Sequence, residues 1–188
     1  MLVDSGPSGI QLARELGAIL PHWDRQVAAV FLTHPQQDHI AGFPELFDRY
    51  HIGSRFDSGS NNASEAYDLF AAERVKRDVL LARDVLEVDG VRIEVLWPPE
   101  GYETENLNDT SLVLRIAFGD VSFLLTGDFE SPAQRLLMGQ SDVEATILKV
   151  PHHGSKTSAK AFLQAVQDRK STRLNSSHIQ KSRMPSSA

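Results

Sequence analysis

Three apolar runs in this sequence each end on residues that bind metal ions, and no other part of the chain repeats that pattern. The run 27–33 leads into Thr33-His34-Pro35-Gln36-Gln37-Asp38-His39. Leu124-Leu125-Thr126 leads into Gly127-Asp128, and the run 145–150 leads into Pro151-His152-His153-Gly154-Ser155. Short apolar runs of this kind fit buried strands. The ends of buried strands are rigid, which is what a set of ligands needs if it is to converge on one point. Asp after Gly is also ordinary turn chemistry, and His and Asp are common in polar turns, so no single run decides the matter. Two adjacent imidazoles beside an apolar strand are harder to assign to packing, because neighbours along a strand face opposite ways. The chain has no cysteine, so any metal must be held by His, Asp, Glu or amide side chains. Imidazole and carboxylate together suit zinc, manganese or iron, with Zn²⁺ or Mn²⁺ the expected ion.

The segments between these runs alternate in period. Apolar positions at helical spacing (Leu12, Leu16, Ile19, Leu20) predict a helix over 10–20, stopped by Pro21. Further helices are expected at 44–50, 63–77, 131–139 and 159–167, and a brief strand at 52–56. Arg74, Lys76 and Arg77 are placed at the end of the 63–77 helix, where cations suit the dipole. A track for DNA is the alternative role for these three. Two hairpins follow, 85–88 with 91–96 across Asp89-Gly90, and 112–118 with 121–126 across Gly119-Asp120. The residues from Ser171 onward are rich in serine and carry no acid and no apolar period, so 169–188 is expected to be disordered. That stretch resembles a translated sequencing-adapter read and is expected to be a non-native tail, which removes His178 from the ligand candidates.

The formal net charge of −6 argues against passive, charge-driven binding of nucleic acid. It leaves room for a nucleic-acid enzyme, since a bound divalent cation changes the local sign of the field. No stretch approaches the ~18 apolar residues of a membrane span, and the first residues lack a signal-peptide pattern. The piece is therefore expected to be soluble.

Together these motifs resemble the metallo-β-lactamase superfamily, and within it the C-terminal domains of ComEC-like competence proteins. The resemblance rests on Val3–Gly6, His34–His39, Asn108–Leu114, Leu124–Asp128 and Lys149–Ser158. It implies an α/β (α+β) fold, the four-layer αββα sandwich, over a partial hydrolase domain at 1–168 that is incomplete at both ends. An internal fragment of a longer protein is expected, with membrane-spanning helices upstream. In the complete protein this domain would lie outside the bilayer of the bacterial inner membrane, next to a membrane channel domain. The implied activity is metal-dependent hydrolysis of a phosphodiester, with DNA as substrate and competence DNA uptake as context. The same superfamily offers lactone or thioester hydrolysis as an alternative, and a degenerate domain that only binds DNA or regulates a channel is a third.

The resemblance implies metal ligands at His34, Asp38, His39, Asp128 and one of His152 and His153. His153 is favoured as ligand and His152 as substrate contact or proton donor, an order the residues themselves leave open. Asp38 and His152 are the expected catalytic residues. Gln36 stands where many superfamily members have His, and Asn108 lies near where another His is expected, so one metal site should be firm and a second weak or vacant. His34 is then left to the second. Ser155, Lys156, Thr157 and Ser158 form a donor-rich run suited to phosphate, although Thr157 or Ser158 would serve equally as a helix cap. Asp4 could orient a ligand histidine or simply shape a turn. His22 and His51 are expected in surface or packing roles.

Overall fold

A computed structural model describes residues 1–72, 76–168 and 170–172 of the chain. The first sheet is wholly parallel, in the order β1 (Leu2–Val3), β2 (Gln26–Leu32), β3 (His51–Asp57), β4 (Arg77–Val79). Parallel neighbours need crossover connections. These carry α1 (Gly9–Ile19), α2 (Gln37–Ile40), α3 (Phe43–Arg49) and α4 (Glu65–Ala72). Ser8 caps α1 by accepting from the Gln11 N–H, and Pro21 stands just beyond its end.

Strand β2 shows why two layers form on either side of this sheet. Its successive side chains alternate. Val30 and Leu32 pack outward against Phe43, Leu46 and Phe70 of the helices. Phe31 points the other way, into a layer with Leu80, Ile93, Val95, Leu112 and Leu114. Each such side chain, fully buried, contributes about 1.5–3 kcal/mol. The second sheet faces that inner layer. Its order is β10 (Lys170–Thr172), β9 (Ile147–Lys149), β8 (Val121–Leu125), β7 (Val113–Phe118), β6 (Val91–Trp97), β5 (Val85–Val88). Its outer face carries Trp97, Val113, Leu124 and Leu148 against α5 (Ser131–Met138) and α6 (Lys160–Val166), through Ala133, Leu137, Phe162 and Val166. Helices, sheet, sheet and helices make the four layers expected from the sequence.

Three expectations change. The helix predicted over 63–77 is shorter, and Arg77 opens β4 instead, with its guanidinium paired to the buried Asp57 carboxylate and bonded to the Tyr67 hydroxyl. Arg74 lies outside the described residues. Lys170–Thr172, assigned to a disordered tail, form a short strand parallel to β9, while His178 and the rest of that tail lie outside the described residues. The residues after β2 form the single helical turn α2, which was not among the expected helices. No helix among the described residues is long and apolar enough to cross a membrane.

Strands β8 and β9 run parallel with Leu125 beside Lys149, so their ends lie at one edge of the sandwich. Across the inner layer, the Leu112 N–H donates to the carbonyl of Thr33, tying the end of β2 to the same edge.

Candidate metal centre

All three strand ends meet at that edge, and Asp4 joins them. Val3 pairs with Phe31, so the next residue, Asp4, falls beside Leu32 with its carboxylate in reach of Thr33. The Asp4 carboxylate accepts from the Thr33 N–H at 2.7 Å, the Thr33 hydroxyl at 2.9 Å and His39 Nδ1 at 2.7 Å. An imidazole that donates through Nδ1 keeps Nε2 as its ligand atom. His39 Nε2 lies 3.2 Å from Asp128 Oδ1. Both atoms are buried, and neither has a hydrogen-bond partner among the described residues. Two polar atoms so close and otherwise unpartnered fit a shared cation between them, a proton on His39 or a metal that displaces it.

His153 and Asp38 complete the group. His153 Nε2 stands 3.2 Å from Asp38 Oδ2 and 3.3 Å from Asp128 Oδ2, and His39 Nε2 is 3.7 Å from Asp38 Oδ2. One donor atom each from Asp38, His39, Asp128 and His153 lies within 4.8 Å of the others. The electrostatics favour a cation. Burial alone would lower the His39 pKa, but Asp4 and Asp128 overcome it and hold His39 up to about 10. Hydrogen bonds to Asp128 and Asp38 hold His153 up to about 9. Burial works to raise the Asp128 pKa, but His153 and His39 outweigh it and keep its carboxyl well below the usual carboxylate range. Two imidazoles and two carboxylates in a mostly buried cluster are a donor set that fits Zn²⁺ or Mn²⁺.

The backbone that delivers the two adjacent histidines is unusual. His152 and His153 have φ of 45° and 52°, and Gly154 has φ of 82°. Left-handed backbone at two successive non-glycine residues costs roughly 1–3 kcal/mol each. It turns both rings toward Asp128, which extended backbone would send to opposite faces. His152 stands at the edge of the cluster, with Nε2 3.8 Å from Asp128 Oδ2. Its Nδ1 meets Glu130 Oε1 at 2.9 Å and the Thr157 hydroxyl at 3.3 Å. Glu130 in turn accepts from Asn106 Nδ2 at 2.9 Å and Asn108 Nδ2 at 3.3 Å, and its N–H donates to Asp109. Sequence reasoning missed Glu130 and Asn106. A carboxylate two residues past Asp128 was the available signal.

The remaining candidates fall around this cluster. His34 is completely buried, its ring 4.2 Å from that of His39 and its Nδ1 3.1 Å from the Thr33 hydroxyl. Burial, then the charge of His39, hold its pKa down to about 4, so it stays neutral. It is not one of the four clustered residues. Gln36 sits at the start of α2, where its carbonyl accepts from the His39 and Ile40 N–H groups. Of the run 155–158, Thr157 reaches His152, and the Ser155 hydroxyl accepts from the Thr157 N–H at 3.4 Å. Thr157 and Ser158 do not cap α6. Ala159 occupies that position, with no side-chain bond. Asp4 is a positioning residue as well as a turn residue, with φ of 57°. A residue not considered from the sequence also enters the centre, the buried Lys149, described below.

The model of the Metallo-beta-lactamase superfamily matches residues 1–178. The chain belongs to the metallo-beta-lactamase superfamily. Members of the superfamily are generally metal-dependent hydrolases that bind divalent metals. The chain is 36% identical over 150 residues to ComE operon protein 3 of Bacillus subtilis, covering 76% of this chain and 19% of that protein. It is 28% identical over 145 residues to Competence protein ComA of Neisseria gonorrhoeae, covering 76% of this chain and 19% of that protein. The chain thus spans about a fifth of the length of these curated relatives. Among solved structures, the metallo-beta-lactamase fold protein YhfI from Bacillus subtilis superposes with a TM-score of 0.52 at 18% identity, over 78% of this chain and 56% of that one. That likeness is one of fold.

Proposed function

We propose that this chain is a metal-dependent phosphodiesterase, acting on DNA during competence DNA uptake as part of a longer protein. The observation that carries the reading is the cluster of Asp38, His39, Asp128 and His153, of which Asp38, His39 and His153 line a cavity of about 200 Å³. The names of the competence relatives support DNA uptake as its setting. In such a protein we place this domain outside the inner-membrane bilayer, beside a channel domain.

Asp38, His39, Asp128 and His153 would hold the metal, Zn²⁺ or Mn²⁺, with His34 beside them. When bound, a divalent metal polarises a phosphoryl oxygen and lowers the pKa of water toward ~7. Asp38 is the most exposed of the four and orients the attacking water through its carboxylate. The water oxygen bonds to phosphorus as the ester P–O bond breaks. His152, its ring fixed by Glu130, gives a proton to the leaving oxygen. The water's own spare proton passes to solvent. Thr157 braces the same imidazole, and Ser155 and Lys156 continue the donor-rich surface along which the phosphate backbone would lie, whereas the Ser158 hydroxyl is buried.

A bis-aryl phosphate and an aryl thioester, each offered with Mn²⁺ and with Zn²⁺, separate this activity from other hydrolyses of the superfamily. The expected result is metal-dependent turnover of the phosphate that falls by more than about 10²-fold in Asp38→Ala. Turnover of the thioester alone would overturn the reading.

A further inference from the structure

Lysine at the buried end of an apolar strand needs an explanation, because an ammonium out of water is costly unless it is paired. Lys149 ends β9 and is only 6% exposed. Its Nζ donates to the Gly127 carbonyl at 2.9 Å and lies 3.6 Å from Asp128 Oδ1. That oxygen is the one His39 Nε2 faces at 3.2 Å. Lys149 also lines the same cavity as Asp38, His39 and His153. A cation placed beside a metal-binding carboxylate repels the metal that carboxylate should hold, so its position opposes the tightest possible binding.

The other side of Asp128 is poor in ligands. Among the described residues, His34 offers one buried, unbonded Nε2 there. Gln36 is a neutral amide, and Asn108 adds only its neutral amide oxygen, which is buried and has no hydrogen-bond partner among the described residues. A second metal would lack the charge that usually holds one.

We propose that the Lys149 ammonium serves as a built-in second cation of this centre, binding the anionic oxygen of a phosphodiester in place of a second metal ion. The proposal rests on the phosphodiesterase reading for its substrate and on geometry for its charge. An ammonium has three N–H donors. One is used by Gly127 and one faces Asp128, which leaves one for a substrate oxygen in the cavity. Lys149 keeps its proton throughout and forms no bond to phosphorus. Its contribution is a fixed positive charge where negative charge accumulates. A lysine that merely neutralised Asp128 would repel the metal just as much but would touch no substrate, so its removal would leave kcat on a phosphodiester unchanged.

The test uses Mn²⁺ alone as probe, titrated calorimetrically into the wild-type chain, Lys149→Met and Lys149→Gln, followed by kcat and KM on a bis-aryl phosphate. A single tight Mn²⁺ is expected in the wild type. Both variants should bind Mn²⁺ at least about tenfold more tightly, since the repelling charge is gone. Their kcat should fall about 10²-fold, the usual loss on removing one preorganised electrostatic donor. Unchanged or weaker Mn²⁺ binding, or an unchanged kcat, in the variants would overturn the proposal, as would two Mn²⁺ ions of comparable affinity in the wild type. The wild-type stoichiometry decides even if both variants fail to fold. A chain that hydrolyses only thioesters would defeat the phosphodiesterase reading while leaving the Mn²⁺ affinities to judge Lys149.

Discussion

At the scale of single residues, the centre is governed by carboxylates that fix imidazoles. Asp4 holds His39 and Glu130 holds His152, each through Nδ1. Removing the charge of such a partner typically weakens metal binding 10- to 100-fold. Asp4→Asn is therefore expected to lower Mn²⁺ affinity by about that factor in a calorimetric titration. Unchanged affinity would reduce Asp4 to a turn residue. The sign of the pH dependence follows from the same contacts. His39 and His153 are raised above the ordinary 6.5, to about 10 and about 9. In the metal-free chain they stabilise the fold below pH 6.5, and that contribution is lost as pH rises through their folded values. A metal must displace their protons, so its apparent affinity should rise with pH up to about 10. Proton release on Mn²⁺ uptake, read from titrations in buffers of different ionisation enthalpy, checks this. Asp128 and His153 were legible in the sequence because they follow apolar strands. Asp4 was ambiguous because a turn aspartate and a ligand-orienting aspartate look alike until the register of β1 against β2 is known.

At the scale of elements, the strand ends do the positioning, and their turns have little freedom. Gly127 has φ of +52°, and a Cβ there would meet the Ser111 hydroxyl at 2.7 Å and Thr33 Cβ at 2.9 Å. Gly127→Ala should destabilise the chain by about 1–3 kcal/mol, measured by denaturant unfolding, and weaken Mn²⁺ binding by shifting Asp128. A stable variant with normal metal affinity would show that this turn is not constrained. The long periodic elements were readable: α1, α5, α6 and both hairpins lie within a residue or two of their expected bounds. The failures share a cause in tertiary contact. Arg77 is drawn into β4 by Asp57 and Tyr67, and α2 is too short to show a period. Lys170–Thr172 pair with β9 through backbone bonds that composition does not report.

At the scale of the whole molecule, four layers bring residues far apart in sequence to one edge. His153 meets Asp38 across 115 positions of the chain. A metal there would tie the two sheets together and bind only the folded state, so it should also stabilise the fold. At a hundredfold excess over its dissociation constant the gain is about 2.7 kcal/mol, visible as a rise in Tm. A chain whose Tm ignores Mn²⁺ and Zn²⁺ would hold no such centre. The measurement that bears most directly on the account combines metal content with hydrolysis in one set of proteins. Wild type, Asp38→Ala and Asp128→Ala would be equilibrated with Mn²⁺, freed of unbound metal, analysed by mass spectrometry and assayed on a bis-aryl phosphate. A bound ion and turnover are expected in the wild type, with loss of both in Asp128→Ala. Asp38→Ala should lose turnover and hold metal more weakly. Equal metal content and equal turnover in all three would contradict it.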